Sequence, residues 1–398
     1  VITAIYLKVP LMSIFLLMVK GVNSFSLLAI PFFIIAGEMI GQGGIARRLV
    51  DFANVIVGRM RGGLAMVNVL DSTFFGGISG SAVADVSSLG TIMIPMMVEK
   101  GYDKDFSVAL TVTSACQGLL IPPSHNMIIY SVAAGGVSVG ALFLGGLVPG
   151  LTLGLAFAVL SYIVAIKRNY PKEKKVTFRE ALKITWNSLL GLATAVIIIG
   201  GVLSGVFTAT ESAAVACIYA FIITFFVYKE IPLKAFSGIL FNALKTLAMV
   251  MSLIASASAF GWLLAYLKVP ALATTALLSV TQNKYILLLL INFLLLGLGC
   301  IMDMAPLILI VTPILLPVMT SMGVDLVHFG VMLILNLAIG LCTPPVGSAL
   351  FVGCAVGKIS IEKATKGLLP FYVAMVIVLI LITFIPELVL FLPRFMAQ

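Results

Sequence analysis

The chain has 398 residues, 61% of them hydrophobic and 10% charged, with a net charge of +9 and a mean hydropathy of +1.21. Soluble domains carry about 25% charged residues, so a soluble enzyme is excluded and a polytopic helical membrane protein is read instead. Most Lys and Arg lie in short connections between apolar runs, where they set orientation; the charge gives no reason to expect nucleic acid as a partner.

At ~20 residues per crossing the length allows roughly ten spans. Residues 1–63 hold apolar runs at 1–19 and 25–42. Over 45–62, Arg47, Arg48, Asp51, Arg59 and Arg61 alternate with Leu, Val, Phe and Ile, which predicts an amphipathic arm helix along a membrane surface. The chain opens on Val1 with neither initiator Met nor signal peptide, so an N-terminal piece carrying a span is expected to be missing.

Residues 64–166 are read as a first repeat. The run 64–98 breaks at Phe75-Gly-Gly-Ile-Ser-Gly-Ser81, which predicts a re-entrant hairpin rather than two spans. Residues 105–134 cross, interrupted by Pro122-Pro123; after the uncharged turn Gly135–Gly140, residues 141–166 cross back. Residues 167–188 are a basic linker holding Lys167, Arg168, Lys172, Lys174, Lys175, Arg179 and Lys183 against Glu173 and Glu180. The positive-inside rule makes it cytoplasmic.

Residues 189–285 supply scaffold spans near 189–207, 211–228 and 240–266, then a second arm at 267–284 with only Lys268 and Lys284. Residues 286–398 are read as the second repeat with the last span. It has a hairpin over 286–320 broken at Gly299-Cys-Ile-Met-Asp303-Met-Ala-Pro306. A crossing over 326–357 interrupted by Pro344-Pro345 and a last span at 367–391 follow.

The two Pro-Pro pairs organise the chain. A Pro-Pro pair removes two backbone donors and bars helix for the residue before it. In a bilayer, unwound backbone survives only where it is buried in protein or lines a cavity, and such breaks mark substrate and ion sites in transporters. An offset of 222 carries the first pair onto the second, and also carries Gly77 onto Gly299, Pro95 onto Pro317, Asp103 onto Asp325 and Gly118 onto Gly340. Matches confined to helix breakers point to a shared backbone path. Five crossings separate Gly101 from Gly323 in this reading, an odd number. The repeats are therefore inverted, the first hairpin opening to the cytoplasm and the second to the outside.

Each candidate residue has a plainer reading beside the functional one. Ser79 and Ser81 can bind a ligand or serve helix packing. Asp303, the equivalent of Ser81, is an ion or substrate contact by default, since a carboxylate at bilayer depth costs about 2.5–3.5 kcal/mol on insertion scales; otherwise it bonds a neighbouring Ser or Thr. Asp85 and Glu38 are weaker candidates that also suit helix bridging. Glu211 follows Thr208 and reads as a helix cap. Asp71, Glu99 and Glu387 read as solvated residues near span ends. The cysteines at 116, 217, 300, 342 and 354 show no metal spacing and read as apolar packing.

The carbonyls at the Pro-Pro breaks, with Thr343 and Ser124 hydroxyls, suit a small hard cation. Half-helices starting beyond them aim positive dipole ends at an anion. Gly77-Ile-Ser79-Gly80 matches the short GxSG of rhomboid-type intramembrane proteases, a reading weakened by the span count. A passive channel is opposed by the inverted broken-helix pattern.

The sequence resembles the large membrane subunit of the tripartite ATP-independent periplasmic (TRAP) transporters. The likeness runs from Val22 to the C-terminus through Leu28-Ala-Ile-Pro-Phe-Phe-Ile-Ile-Ala-Gly-Glu38, Gly62-Gly-Leu-Ala-Met-Val-Asn-Val, Phe75-Gly-Gly-Ile-Ser-Gly-Ser-Ala-Val-Ala-Asp85, Ile121-Pro-Pro-Ser, Gly205-Val-Phe-Thr-Ala-Thr-Glu-Ser-Ala-Ala and Leu335-Asn-Leu-Ala-Ile-Gly-Leu-Cys-Thr-Pro-Pro-Val-Gly. The resemblance implies an elevator mechanism, Na+ symport, a small four-helix membrane partner and a periplasmic substrate-binding protein, in a bacterial inner membrane. By that likeness Na+ would meet Ser79, Gly118 and Pro123 in one half and Gly299, Gly340, Thr343 and Pro345 in the other. Substrate would meet Ser81, Ser124, Asn126 and Asp303. A carboxylate substrate is implied, with Ser124-His125-Asn126 resembling the sialic-acid branch and a C4-dicarboxylate as the alternative. The family's usual first span is not recognised at the start, which fits truncation or a fused small subunit. The arm helices are open to a role in dimer contacts.

Overall fold

The computed structural model describes residues 2–172 and 177–396. Among the described residues the secondary structure is helical apart from an isolated bridge between Arg61 and Lys172. Nine of the described helices are long and apolar enough to cross a bilayer. The protein is an all-α multi-pass membrane protein.

The first helices are α1 (Ile2–Tyr6), α2 (Leu11–Val22), α3 (Ala29–Gln42) and α4 (Ile45–Val57). They are followed by α5 (Gly63–Ser79), α6 (Ala82–Glu99), α7 (Lys104–Gly118), α8 (His125–Ala133) and α9 (Val139–Lys167). Next come α10 (Phe178–Leu203), α11 (Ala209–Ile222), α12 (Phe236–Tyr266) and α13 (Val269–Val280). The remaining helices are α14 (Lys284–Ile301), α15 (Met304–Ser321), α16 (Leu326–Leu341), α17 (Ser348–Gly357), α18 (Ile361–Phe384) and α19 (Glu387–Met396).

Helix α4 is amphipathic, as its spacing predicts, and ends at Val57, before Arg59 and Arg61. Ile45, Ala46, Leu49, Val50 and Ala53 bury one face, while Arg47 and Asp51 stay exposed on the other. Arg48 fixes the arm: its guanidinium pairs with Glu230 at 2.5 Å and lies 3.8 Å above the Tyr228 ring. Glu211 takes the Thr208 N–H at 2.8 Å and caps α11.

The centre of the molecule is the pair α7 and α16. Each is buried on every side, α7 from Phe106 to Gly118 and α16 from His328 to Leu341. A helix hidden all round must satisfy its polar side chains internally. Thr111 and Thr113 therefore donate to the carbonyls of Ser107 and Ala109 at 2.8 and 2.9 Å. Asn336 on α16 donates to Asn292 of α14 at 2.9 Å. Where α7 and α16 meet, Cys116 Sγ and Cys342 Sγ are 3.0 Å apart.

Glycine sets how closely the hairpins approach these helices. A Cβ on Gly118 would stand 2.9 Å from the Gly76 Cα, and one on Gly340 would stand 2.5 Å from the Gly299 carbonyl oxygen. No side chain fits either crossing, so backbone meets backbone.

Both hairpins turn within the stretches the sequence marks, at Gly80-Ser81 and Met302-Asp303, with Gly299 itself inside α14. Other details depart from the sequence reading. The last span ends at Phe384, because Pro386 stops the helix before α19. Helix α10 starts at Phe178, within the stretch read as linker; Glu173, Lys174 and Lys175 lie outside the described residues. Asp71 is a correction. It is 0% exposed rather than solvated, because α4, α6 and α7 all pack on α5. Glu99 and Glu387 are exposed as expected.

Candidate functional site

Both chain breaks occur where the prolines dictate. Helix α7 stops at Gly118 and α8 restarts at His125; α16 stops at Leu341 and α17 restarts at Ser348. The Pro122-Pro123 and Pro344-Pro345 bonds are both cis. The first break is buried throughout, whereas Pro345 and Val346 in the second are exposed.

A cavity of about 660 Å³ joins the two halves. Its wall takes Ser79, Gly80 and Ser81 from the first hairpin turn and Asp303 and Met304 from the second. It also takes His125 and Asn126 from the start of α8 and Ser348 from the start of α17. The opposite wall is Glu38 and Gln42 of α3 with Thr246, Met249 and Val250 of α12.

The starts of α6, α8, α15 and α17 thus converge on one space. A helix start presents free N–H groups and the positive end of its dipole. The starts of α8, α15 and α17 carry no side-chain cap, so their N–H groups are left for a ligand. Ser81 caps α6, its hydroxyl accepting the Ala84 N–H at 3.4 Å. The cavity holds no Lys or Arg. Backbone dipoles are therefore its source of positive potential, and Glu38 and Asp303 are its charged acceptors.

The offset of 222 that relates the Pro-Pro pairs also relates Ser81 to Asp303 and Asn126 to Ser348. All four line the cavity. Asp303 Oδ1 accepts the Ser348 hydroxyl at 3.0 Å, so hairpin turn and half-helix are bonded across the space. Gln42 donates to Glu38 at 3.1 Å on the facing wall. Ser348, Gln42 and Thr246 were not singled out from sequence. Ser348 carried a usable signal, as the repeat partner of Asn126; Thr246 carried none, since only packing brings α12 to this wall.

The remaining candidates lie in or below the wall. Ser79 is 3% exposed and lines the cavity. Ser124 is 0% exposed, does not line the cavity, and its hydroxyl has no partner. Gly118 and Pro123 are buried, as are Gly299 and Gly340; Thr343 is half-buried and donates to the Ile339 carbonyl at 2.7 Å. No donor among the described residues reaches the carbonyls of Pro122, Pro123, Pro344 or Pro345. Ser79 shares no hydrogen bond with either histidine; His328 bonds the Ile382 carbonyl at 2.7 Å instead, and His125 Nε2 is buried without a partner.

A family model described as the DctM component of tripartite ATP-independent periplasmic transporters matches residues 1–388. The chain belongs to that family. This DctM-family chain is 42% identical over 377 residues to the sialic acid TRAP transporter large permease protein SiaM of Vibrio cholerae, covering 95% of this chain and 88% of that one. It is 40% identical over 374 residues to the C4-dicarboxylate TRAP transporter large permease protein DctM of Pseudomonas aeruginosa, covering 94% and 87%. The crystal structure of the Alcanivorax borkumensis YdaH transporter has the same fold, with a TM-score of 0.66 at 14% identity over 94% of this chain and 88% of that one. The DctM family is one of transport permeases and not of enzymes, which disposes of the protease reading.

Proposed function

We propose that this DctM-family permease imports a carboxylate solute, with sialic acid favoured, by Na+-coupled elevator transport across the bacterial inner membrane. One observation carries the reading: four helix starts from two hairpins and two half-helices converge on a single cavity lined by no Lys or Arg. Such a site draws an anion by its N–H groups. Ser81 and Asn126 are then placed to bond the solute, with Asp303 as an acceptor for its hydroxyls; Ser124, buried and outside the cavity wall, is not placed to meet it. A polyhydroxylated monoacid suits two wall carboxylates better than a dicarboxylate does, because Glu38 and Asp303 repel a second negative charge. The Pseudomonas relative named for C4-dicarboxylates keeps that alternative in view.

The cation side of the reading rests on oxygens gathered at the two breaks, of which the Pro-Pro carbonyls meet no donor among the described residues. Pro-Pro carbonyls without donors, the Ser79 hydroxyl, the Gly118 backbone and Pro123 would hold one Na+; Gly299, Gly340, Thr343 and Pro345 would hold another. Na+ supplies positive charge beside an anion-binding cavity and energy from its gradient, about 2.3 kcal/mol per charge for 100 mV. The chain's own part is to keep carbonyls on one side of each break and helix starts on the other, so that cation and solute occupy neighbouring places. Inverted repeats, with the hairpins opening to opposite sides, fit an alternating-access movement of α5–α8 and α14–α17 against α3, α10, α11 and α12. A small four-helix membrane subunit and a periplasmic binding protein complete the proposed complex. The test is uptake by the reconstituted complex offered labelled sialic acid or a C4-dicarboxylate in turn. Accumulation of sialic acid alone is the predicted result; accumulation of the dicarboxylate alone contradicts the substrate choice.

A further inference from the structure

A second cavity, of about 680 Å³, opens where two connections of the chain meet: the turn from α4 to α5 and the segment that follows α9. Arg59 and Arg61 come from the first and Lys172 from the second, while Met60 and, on α9, Tyr162 and Ile166 form an apolar edge. Among the described residues the lining includes no Asp or Glu. The backbone brings the two connections together. Arg61 and Lys172 pair as an isolated antiparallel bridge, and the Gly62 N–H donates to the Pro171 carbonyl at 3.1 Å. Gly62 has a φ of +70°, and a Cβ on it would stand 2.3 Å from Ala165 Cβ, so the turn is pressed against α9. The Arg61 guanidinium donates to Asn169 Oδ1 at 3.0 Å, which orients it across the cavity.

A concave wall of cations focuses a positive potential and draws an anion. A guanidinium offers a planar fork that matches phosphate oxygens, and an ammonium adds a compact charge. The face of α9 says which phosphate. Leu155, Val159, Tyr162 and Ile166 recur at helical spacing, and all four are exposed. From Leu155 to Ile166 the helix rises about 16 Å, close to the depth of one leaflet of a ~30 Å hydrocarbon core. This apolar stripe starts within the span and ends in the wall of the basic cavity. The Tyr162 ring stands one turn from the Lys167 end of the span, where an amphipathic ring suits the headgroup level. A soluble phosphate would use the cations and leave the stripe idle; a phospholipid uses both at once.

We propose that this cavity binds the headgroup phosphate of an anionic phospholipid through Arg59, Arg61 and Lys172, with the acyl chains laid along the exposed face of α9. The site is separate from the solute cavity and holds whichever solute the protein carries. A bound lipid joins the α4–α5 turn to the segment after α9, so it braces both connections that lead into and out of α5–α9 at this membrane face.

The test is native mass spectrometry of the purified, delipidated transporter titrated with phosphatidylglycerol, with phosphatidylethanolamine of the same acyl chains, or with inorganic phosphate. Wild-type protein is expected to retain phosphatidylglycerol at a roughly tenfold lower concentration than phosphatidylethanolamine, and to retain no inorganic phosphate in that range. Lys172→Gln should raise the half-saturating phosphatidylglycerol concentration about three- to tenfold, since a charge-assisted bond to phosphate is lost. The double variant Arg61→Gln, Lys172→Gln should raise it further, and neither variant should change phosphatidylethanolamine binding. Lys172 is exposed, so its single variant keeps the test decisive if the double variant fails to fold. Equal retention of the two lipids by the wild type overturns the site, as does wild-type phosphatidylglycerol binding by Lys172→Gln. Retention of inorganic phosphate that Lys172→Gln removes makes this a site for a soluble anion and overturns the assignment to lipid.

Discussion

Ser348 donates its hydroxyl to Asp303 Oδ1 at 3.0 Å, and this bond joins the turn of the second hairpin to the half-helix beyond Pro344-Pro345. Neither residue is close to the other in sequence. Two helix starts are thereby held side by side, each with its N–H groups facing the same cavity.

Replacement of Asp303 therefore separates function from folding. Asp303→Ala is expected to abolish uptake while the protein keeps its size-exclusion profile. Ser348→Ala should weaken substrate affinity by roughly ten- to hundredfold, since a hydrogen bond to a charged group contributes about 1.5–3 kcal/mol. Wild-type uptake by Asp303→Ala would reassign the residue to structure.

The glycine crossings make a steric prediction. Gly118→Ala and Gly340→Ala force apart backbones already in contact and should each destabilise by about 1–3 kcal/mol. On α12, by contrast, a methyl group added at Gly238 would meet nothing within 4 Å. Gly238→Ala should leave stability equal or slightly raised, because alanine is the better helix former. Thermal unfolding of the three variants in one detergent checks the contrast. Equal melting temperatures would contradict it.

Asp103 ties the start of α7 to the end of α9 and predicts an acid limit. Tyr170 donates to its carboxylate at 2.7 Å and Arg168 pairs with it at 2.6 Å. The Tyr170 bond, aided by Arg168 and opposed by partial burial, holds the Asp103 carboxyl below the usual range. A lowered folded value means the stabilisation is complete above the unfolded carboxylate range and is lost as pH falls through the folded value. Tyr170→Phe should raise the pH at which acid unfolding begins. The effect is small, about 0–1 kcal/mol, since both partners of the ion pair are substantially exposed. An unmoved acid transition would show that the cluster does not stabilise the fold.

Inside the second half, Asn336→Leu removes the donor that meets Asn292 Oδ1 at 2.9 Å. An orphaned buried carbonyl costs about 1–3 kcal/mol, so the variant should melt below the wild-type protein. A Leu variant as stable as wild type would contradict the role assigned to this bond.

The sequence showed the breaks because prolines and glycines act locally: Pro122-Pro123, Pro344-Pro345 and the Gly-rich turn before Ser81 interrupt their helices whatever surrounds them. The face of α4 was legible for the same reason, since Leu49 and Ala53 recur at helical spacing. Depth was not. Asp71 lies eight residues after the start of α5 and looked solvated, yet it is buried by helices from elsewhere in the chain. Within the stretch Gly299–Pro306 the turn falls at Met302-Asp303, because Gly299 serves the crossing with Gly340 and leaves the helix intact. Thr246 entered the cavity through the packing of α12, which no local pattern announces.

The central claim is that one cavity binds an anionic solute while neighbouring oxygens bind the Na+ that drives it. The most direct measurement is uptake of labelled sialic acid into proteoliposomes holding the permease, its small subunit and a binding protein, with and without an inward Na+ gradient. The account predicts accumulation that collapses when Na+ is replaced by K+ on both sides. Equal accumulation in the two conditions would contradict it.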